Sequence, residues 1–223
     1  ASSREGFATL DPAVRTEAAQ AIGYRGCGTR YAKELIGMLE GDPSAETLEA
    51  VIYAMGGSRD KAFAPHLQRL LGHDHEHVRA AALMHLARLE PDTAFANTAE
   101  ALRDRSPWVR KIAVQQLTQW PAERSAAQAA LLLTDDHADV RERAVWTLGQ
   151  LQSRDSAAAI AQRLTDDDHG VRGRAALVLG ELQAVEHADA VAALLTADDV
   201  VTRRYAVKGL GLMGQPKYLD PLR

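Results

Sequence analysis

A cluster of imidazole and carboxylate side chains stands out in the sequence. Histidine alternates with acidic residues from position 73 to position 77, as His73, Asp74, His75, Glu76 and His77. Imidazole nitrogens are common ligands of zinc, copper and nickel, so His73, His75 and His77 are candidate metal ligands. The alternative is that Asp74 or His75 caps a helix that begins near Glu76 while the other histidines are solvated turn residues. We favour the capping interpretation, and no metal site is predicted.

No other group of reactive residues has the spacing of a catalytic site. The sequence contains no glycine-rich phosphate loop, no Gly-x-Ser-x-Gly elbow and no His-Glu-x-x-His pair. Cys27, the single cysteine, lies in a short glycine-flanked link with no evident histidine partner that would activate a thiolate. We therefore predict a protein that is not an enzyme and that holds no cofactor.

The composition excludes several classes of protein. Hydrophobic residues make up 46% of the 223 positions and charged residues 25%, which is ordinary for a globular protein and unlike a disordered chain. The formal net charge of −4 gives no basic excess for binding nucleic acid. The apolar stretches are much shorter than a membrane span. We expect neither a nucleic-acid partner nor membrane insertion.

The strongest pattern is an internal repeat with a period near 31 residues. One residue, usually the arginine of a Val-Arg pair, anchors each unit, and the seven anchors are Arg15, Leu48, Arg79, Arg110, Arg141, Arg172 and Arg203. Alanine or valine follows three residues after every anchor, and glycine follows eight residues after five of the seven anchors. Self-similarity of this kind is typical of stacked repeats.

Each unit has the pattern of two helices joined by an acidic turn. Apolar residues three, four and seven positions after the anchor form one helical face, and the segments before the anchors have the same spacing. Such a helix pair buries its apolar face only against its neighbours. The sequence predicts an all-α fold, a right-handed α-solenoid of about seven helix-turn-helix repeats that forms a single domain over residues 1–223. Neither end has the polar face of a capping repeat, so we expect a segment of a longer protein.

Residues 133–149, LTDDHADVRERAVWTLG, resemble a HEAT repeat of the short bacterial type that is also known from phycobilisome-lyase-like proteins. The resemblance extends over essentially the whole chain. It implies a structural ladder of arginines and aspartates between adjacent repeats, in which Leu48 cannot take part. The ladder arginines would be Arg79, Arg110, Arg141, Arg172 and Arg203, paired with acids such as Asp136, Asp139 or Asp167.

Two enzyme classes with HEAT-like architecture fit the sequence poorly. Deoxyhypusine hydroxylase carries His-Glu pairs in its second helices as iron ligands, and no such pair follows an anchor arginine here. Alkylpurine DNA glycosylases use a basic groove with tryptophan and aspartate, and although Trp146 is suitably placed, the net charge of −4 opposes phosphate binding.

In the HEAT family the second helices line the concave surface. The side opposite the core carries the positions two, five and nine residues after each anchor. These positions hold aromatic and apolar residues among arginines, which is the composition of a binding surface. The alternative is that curvature packs them against neighbouring second helices. The predicted groove residues are Tyr53, Met84, Arg88, Ile112, Gln115, Arg143, Trp146, Arg174, Leu177, Tyr205 and Lys208.

This composition favours a non-catalytic scaffold or adaptor that binds a protein or peptide, with Trp146 as an anchor and arginines facing acidic groups. One alternative is a phycobilin-lyase-like accessory protein that handles a tetrapyrrole. In that case Arg143 and Arg174 would hold the propionates, and Trp146 or Tyr53 would stack on the rings. Another alternative is a metal-responsive module at the histidine-rich turn.

Overall fold

The structure is a computed structural model that describes residues 11–39, 43–214 and 218. Within these ranges all regular elements are helical, as predicted, and short 3-10 turns extend several of the α-helices. No helix in the described ranges combines the length and apolarity that crossing a bilayer requires. The α-helices are α1 (Pro12–Tyr24), α2 (Ala32–Gly37), α3 (Ala45–Gly57), α4 (Ala64–Leu70), α5 (Glu76–Leu89), α6 (Pro91–Ala101), α7 (Pro107–Gln116), α8 (Ala122–Ala130), α9 (Ala138–Gln150), α10 (Ala157–Ala161), α11 (His169–Glu181), α12 (Ala188–Ala193) and α13 (Val200–Leu212).

The second helix of every repeat begins at the same point of the sequence period. The anchor is the fourth residue of α1, α3, α5, α7, α9, α11 and α13. A polar residue directly before the helix caps several of them: Asp168 accepts a hydrogen bond from the N–H of Val171 at 3.0 Å, and Ser44 accepts one from Thr47 at 3.2 Å. These caps satisfy N–H groups that have no partner inside the helix.

The described residues fall into two compact units, which divide within α7 between Ala113 and Val114. We call residues up to Ala113 unit 1 and residues from Val114 onward unit 2. In unit 1, α1 packs on α3 and α3 packs on α5; in unit 2, α9 packs on α11 and α11 packs on α13. Helix pairs are therefore stacked through their second helices within each unit. A single solenoid over residues 1–223 stays a prediction.

The recurring glycine eight residues after the anchor allows adjacent second helices to approach closely. A Cβ atom on Gly180 would lie 2.6 Å from the Cα atom of Gly209, and one on Gly56 would lie 2.0 Å from Nδ1 of His85. In both cases the opposing residue lies six positions after the next anchor. The glycine periodicity therefore reflects packing between repeats.

Candidate partner-binding surface on the second helices

A buried arginine connects two turns of unit 1. Arg79 is 5% exposed, and its Nε and Nη2 atoms donate to Oδ2 and Oδ1 of Asp104 at 2.8 and 2.7 Å. Its Nη1 atom donates to the carbonyl oxygens of His73 and Asp74, both at 2.8 Å. Burial alone would raise the pKa of Asp104, but the hydrogen bonds from Arg79 and from the N–H of Ser106 hold that pKa below its ordinary value.

Unit 2 contains the same connection. Arg141 donates to both carboxylate oxygens of Asp166 at 2.8 and 2.6 Å, and to Oδ1 of Asp167 at 2.7 Å. One repeat later, Arg172 donates to Oδ2 of Asp199 at 2.7 Å. Because these bonds join successive turns, Arg79, Arg141 and Arg172 have a structural role.

The predicted ladder is confirmed for Arg79, Arg141 and Arg172, with one important acid that the sequence interpretation missed. Asp167 is confirmed as a partner of Arg141, but the buried, bidentate partner is Asp166, which is 8% exposed. Both bidentate acids, Asp104 and Asp166, lie 25 residues after their arginines. That fixed offset is the signal that could have identified them. At Leu48, which is buried, the same offset leads to His73 rather than to an acid.

The histidine-rich turn has a different organisation from the predicted one. No side chain caps α5, so the expected capping by Asp74 or His75 is wrong. Instead, the backbone N–H of His75 donates to Nδ1 of His73 at 3.0 Å, because the turn folds back on itself. The ring of His77 lies edge-on to Trp108, with centroids 5.8 Å apart.

Only one group of three potential metal ligands within reach of a common ion occurs in the described ranges. It consists of Asp135, Asp136 and His137, whose ligand atoms lie within 4.8 Å of one another. Nδ1 of His137 already pairs with Asp136 at 2.9 Å, and its backbone N–H donates to Asp135. The histidines of residues 73–77 do not belong to this group. The structure gives the metal-responsive alternative no support at that turn.

The predicted groove residues of unit 1 all reach the surface. We call Tyr53, Met84, Arg88 and Ile112 the second-helix face of unit 1; Tyr53 and Arg88 are exposed and the other two are half-buried. Tyr53 is 51% exposed, and its ring lies 6.4 Å from that of Tyr24 and 5.8 Å, edge-on, from that of His85.

His85 was not among the predicted site residues, although its buried ring lies edge-on to Tyr53 in this face. It is 7% exposed, and its Nδ1 atom has no hydrogen-bond partner in the described part of the chain. Burial, together with the charge of Arg88, lowers the pKa of His85 to about 4. The ring is therefore neutral near pH 7 and acts as an apolar support for Tyr53.

The seven predicted residues of unit 2 also reach the surface. Lys208 is exposed and the others are half-buried, which places even Leu177 outside the core. We call this set the second-helix face of unit 2: Gln115, Arg143, Trp146, Arg174, Leu177, Tyr205 and Lys208. The exposure of the set is what the helical geometry predicts; partner binding by it stays a prediction.

The rings of Trp146 and Tyr205 in unit 2 contact cations. Cζ of Arg143 lies 5.0 Å from the ring centroid of Trp146, on the same helix. This distance and these residue types are those of a cation–π interaction. The guanidinium therefore covers part of the indole and fixes its orientation, while the half-buried ring remains accessible.

Three cations surround the ring of Tyr205. Cζ of Arg174 and Nζ of Lys208 each lie 5.7 Å from its centroid, and Cζ of Arg204 lies at 5.4 Å. We call these four residues the Tyr205 cluster. Arg204 was missed by the sequence interpretation, which considered only three positions after each anchor. Its separation of four residues from Lys208 on one helix is the signal that could have found it.

Repeated helix pairs whose turns are tied by buried arginines define an all-α repeat protein. The family model for HEAT repeats matches the chain in overlapping windows, at residues 5–87, 67–139, 95–180, 125–204 and 159–223. The chain therefore belongs to the HEAT-repeat family.

Solved structures support the same fold. The Escherichia coli protein YibA is 15% identical, with a TM-score of 0.68 over 95% of this chain and 80% of that one. The complex of CpcE and CpcF of phycocyanin lyase from Nostoc sp. PCC7120 is 19% identical, with a TM-score of 0.54 over 99% and 95%. An engineered protein is 18% identical, with a TM-score of 0.60 over 96% and 71%. No curated protein sequence matches the chain. The likeness to the lyase-type HEAT proteins is thus confirmed at the level of the fold.

Proposed function

We propose that this protein is a non-catalytic adaptor that binds a protein or peptide through the second-helix faces. The observation that carries the proposal is Trp146, a half-buried indole held by Arg143 at 5.0 Å on the outward side of α9. Tryptophan and arginine are enriched among the few residues that carry most of the binding energy at protein interfaces.

The neighbours of Trp146 suit this role. Leu177 lies at the equivalent position of α11, the helix that packs on α9, and adds apolar area to the same face. Arg174 also lies on α11, and its Nη2 atom donates a hydrogen bond to Oε1 of Glu142 at 3.0 Å. An apolar surface bordered by oriented arginines fits a partner segment with an apolar side chain and nearby carboxylates.

Selection of a random peptide library on the immobilised chain tests this function. Peptides enriched on the wild-type chain should bind Trp146→Ala about thirtyfold more weakly, as for loss of an interface hot spot worth about 2 kcal/mol. Trp108→Ala is the matched control, because Trp108 is 42% exposed and lies in unit 1. Equal binding by both variants, or no enrichment at all, would contradict the proposal.

The tetrapyrrole alternative uses the same side chains. Arg143 lies beside Trp146, as holding a propionate next to a stacked ring would require, whereas Arg174 lies beside Tyr205 and not beside Trp146 or Tyr53. Absorbance titration with a bilin or haem separates the two functions, because the adaptor gives no spectral shift.

A further inference from the structure

We infer that the partner segment of unit 2 is bipartite, with an apolar anchor for Trp146 and a block of adjacent carboxylates for the Tyr205 cluster, separated by about five or six residues in an extended chain. The inference rests on the proposed adaptor function and specifies the chemistry of its partner. It also assigns a binding role to Arg204.

The charge at the Tyr205 cluster favours carboxylates. The carboxylate of Glu142 pairs with Arg174 and offsets one of the three cations. In the described ranges, Arg204 and Lys208 have no carboxylate within ion-pair distance. Both side chains lie against the ring of Tyr205. Two cations held against one ring without counter-charges repel each other, so an anionic group that binds between them relieves that repulsion.

The size of the cluster favours a short acidic segment over a nucleic-acid backbone. Nucleic-acid binding requires many phosphate contacts along an extended basic track. Here the cations of the Tyr205 cluster are confined to α11 and α13, while the turns of unit 2 are acidic, with Asp135, Asp136 and Asp167 among them. A few adjacent carboxylates match the extent of the positive region.

The spacing follows from helix packing inside unit 2. Trp146 lies on α9 and Tyr205 on α13, with α11 packed between these two helices. Axes of packed helices are about 8–10 Å apart, so two steps cover about 16–20 Å. An extended chain rises about 3.3 Å per residue, which converts this distance into about five or six residues.

A series of fluorescein-labelled peptides tests the spacing by fluorescence polarisation. Each peptide carries one leucine anchor and three consecutive glutamates, joined by glycine-serine spacers that range from about two to about ten residues. Affinity should be highest near five or six spacer residues and about tenfold lower at the short end, where both sites cannot be engaged together. An affinity that does not change with spacer length would overturn the inference.

Two double variants test the acidic half separately. Arg204→Gln/Lys208→Gln should weaken binding of the best peptide about tenfold, and should not change binding of its Glu→Gln counterpart. The control, Lys61→Gln/Arg69→Gln, removes the same charge from exposed positions of unit 1 and should have little effect. An equal loss in both variants would mean general electrostatic attraction and would overturn the assignment of the cluster.

Two further outcomes are informative. If library peptides without acidic residues bind through Trp146, the adaptor function stands and the bipartite motif is wrong. If a single-stranded oligothymidylate binds more tightly than every acidic peptide at equal salt, and the Arg204→Gln/Lys208→Gln variant abolishes that binding, the partner is a nucleic acid and the inference is again wrong.

Discussion

At the fourth residue of the second helix, unit 1 contains a buried leucine as well as arginines, whereas unit 2 has an arginine in every repeat. Leu48 in α3 has no guanidinium, and His73 stands where the ladder acid would be, 25 residues later. Arg141 in α9 has the complete arrangement, with Asp166 at that offset. The two pairs indicate that arginine and acid occur as a set, and that a repeat can also stack with neither.

The outward faces of the two units differ in the groups that their aromatic rings contact. In unit 1 the rings of Tyr24, Tyr53 and His85 contact one another. In unit 2 the rings of Trp146 and Tyr205 contact cations. Because Tyr53 and Trp146 occupy the same position, five residues after their anchors, the repeat determines where a surface forms and the individual side chains determine what that surface presents.

The largest effect should come from giving unit 2 the leucine of unit 1. Arg141→Leu removes the bidentate partner of the buried Asp166 and leaves Arg163, at 3.7 Å, as its remaining cation, so we expect a loss of about 3 kcal/mol in the free energy of unfolding. Urea titration monitored by circular dichroism measures this loss. The double variant Arg141→Leu/Asp166→Leu removes both charges and should recover at least half of the stability, as the pair Leu48 and His73 implies. A double variant as unstable as the single one would contradict this account.

A pH titration should distinguish the buried histidine of unit 1 from the apolar residue at the same position of unit 2. His85 lies six residues after its anchor, where α11 has Val178. The pKa of His85 is lowered from 6.5 to about 4, so its neutral form stabilises the fold above pH 6.5, and this stability is lost as the pH falls towards 4. The loss should reach about 3 kcal/mol.

His85→Leu isolates that contribution. The variant should lose most of the pH dependence of unfolding free energy between pH 6.5 and pH 4.5, a range above the lowered pKa values of Asp104 and Asp166. Urea titrations of both proteins across this range are the measurement. Parallel stability curves for variant and wild type would show that His85 does not titrate as described.

Local signals made the helices predictable, whereas contacts between repeats were predictable only in part. The start of α9 could be located because an acidic turn and the apolar face after Arg141 recur in every repeat. Helical geometry placed Trp146 at the surface for the same reason. The bond from Arg141 to Asp166 was harder to predict, because it joins two different turns. Its prediction requires knowledge of the 25-residue offset between stacked repeats. The division after Ala113 has no counterpart in the sequence, whose period continues through it.

The smallest effect compares Gly180 of unit 2 with Gly56 of unit 1, each eight residues after its anchor. A Cβ on Gly180 would lie 2.6 Å from both Cα and O of Gly209, and backbone atoms there cannot shift without moving α13. Gly180→Ala should therefore destabilise by about 1–3 kcal/mol, in spite of the helix propensity of alanine. In unit 1 a Cβ atom on Gly56 would lie 2.0 Å from Nδ1 and 2.5 Å from Cβ of the buried His85, and rotation of the ring cannot move that Cβ atom. Gly56→Ala should therefore destabilise by a similar amount.

Gly211 is the matched control, because it also lies eight residues after an anchor but has nothing within 4 Å of a Cβ atom. Gly211→Ala should raise the free energy of unfolding by about 0.5–1 kcal/mol, since alanine loses less backbone entropy than glycine when a helix forms. Thermal unfolding of the three variants should show Gly211→Ala as clearly more stable than both Gly56→Ala and Gly180→Ala. If Gly180→Ala were as stable as Gly211→Ala, the glycine period would reflect something other than close packing of second helices.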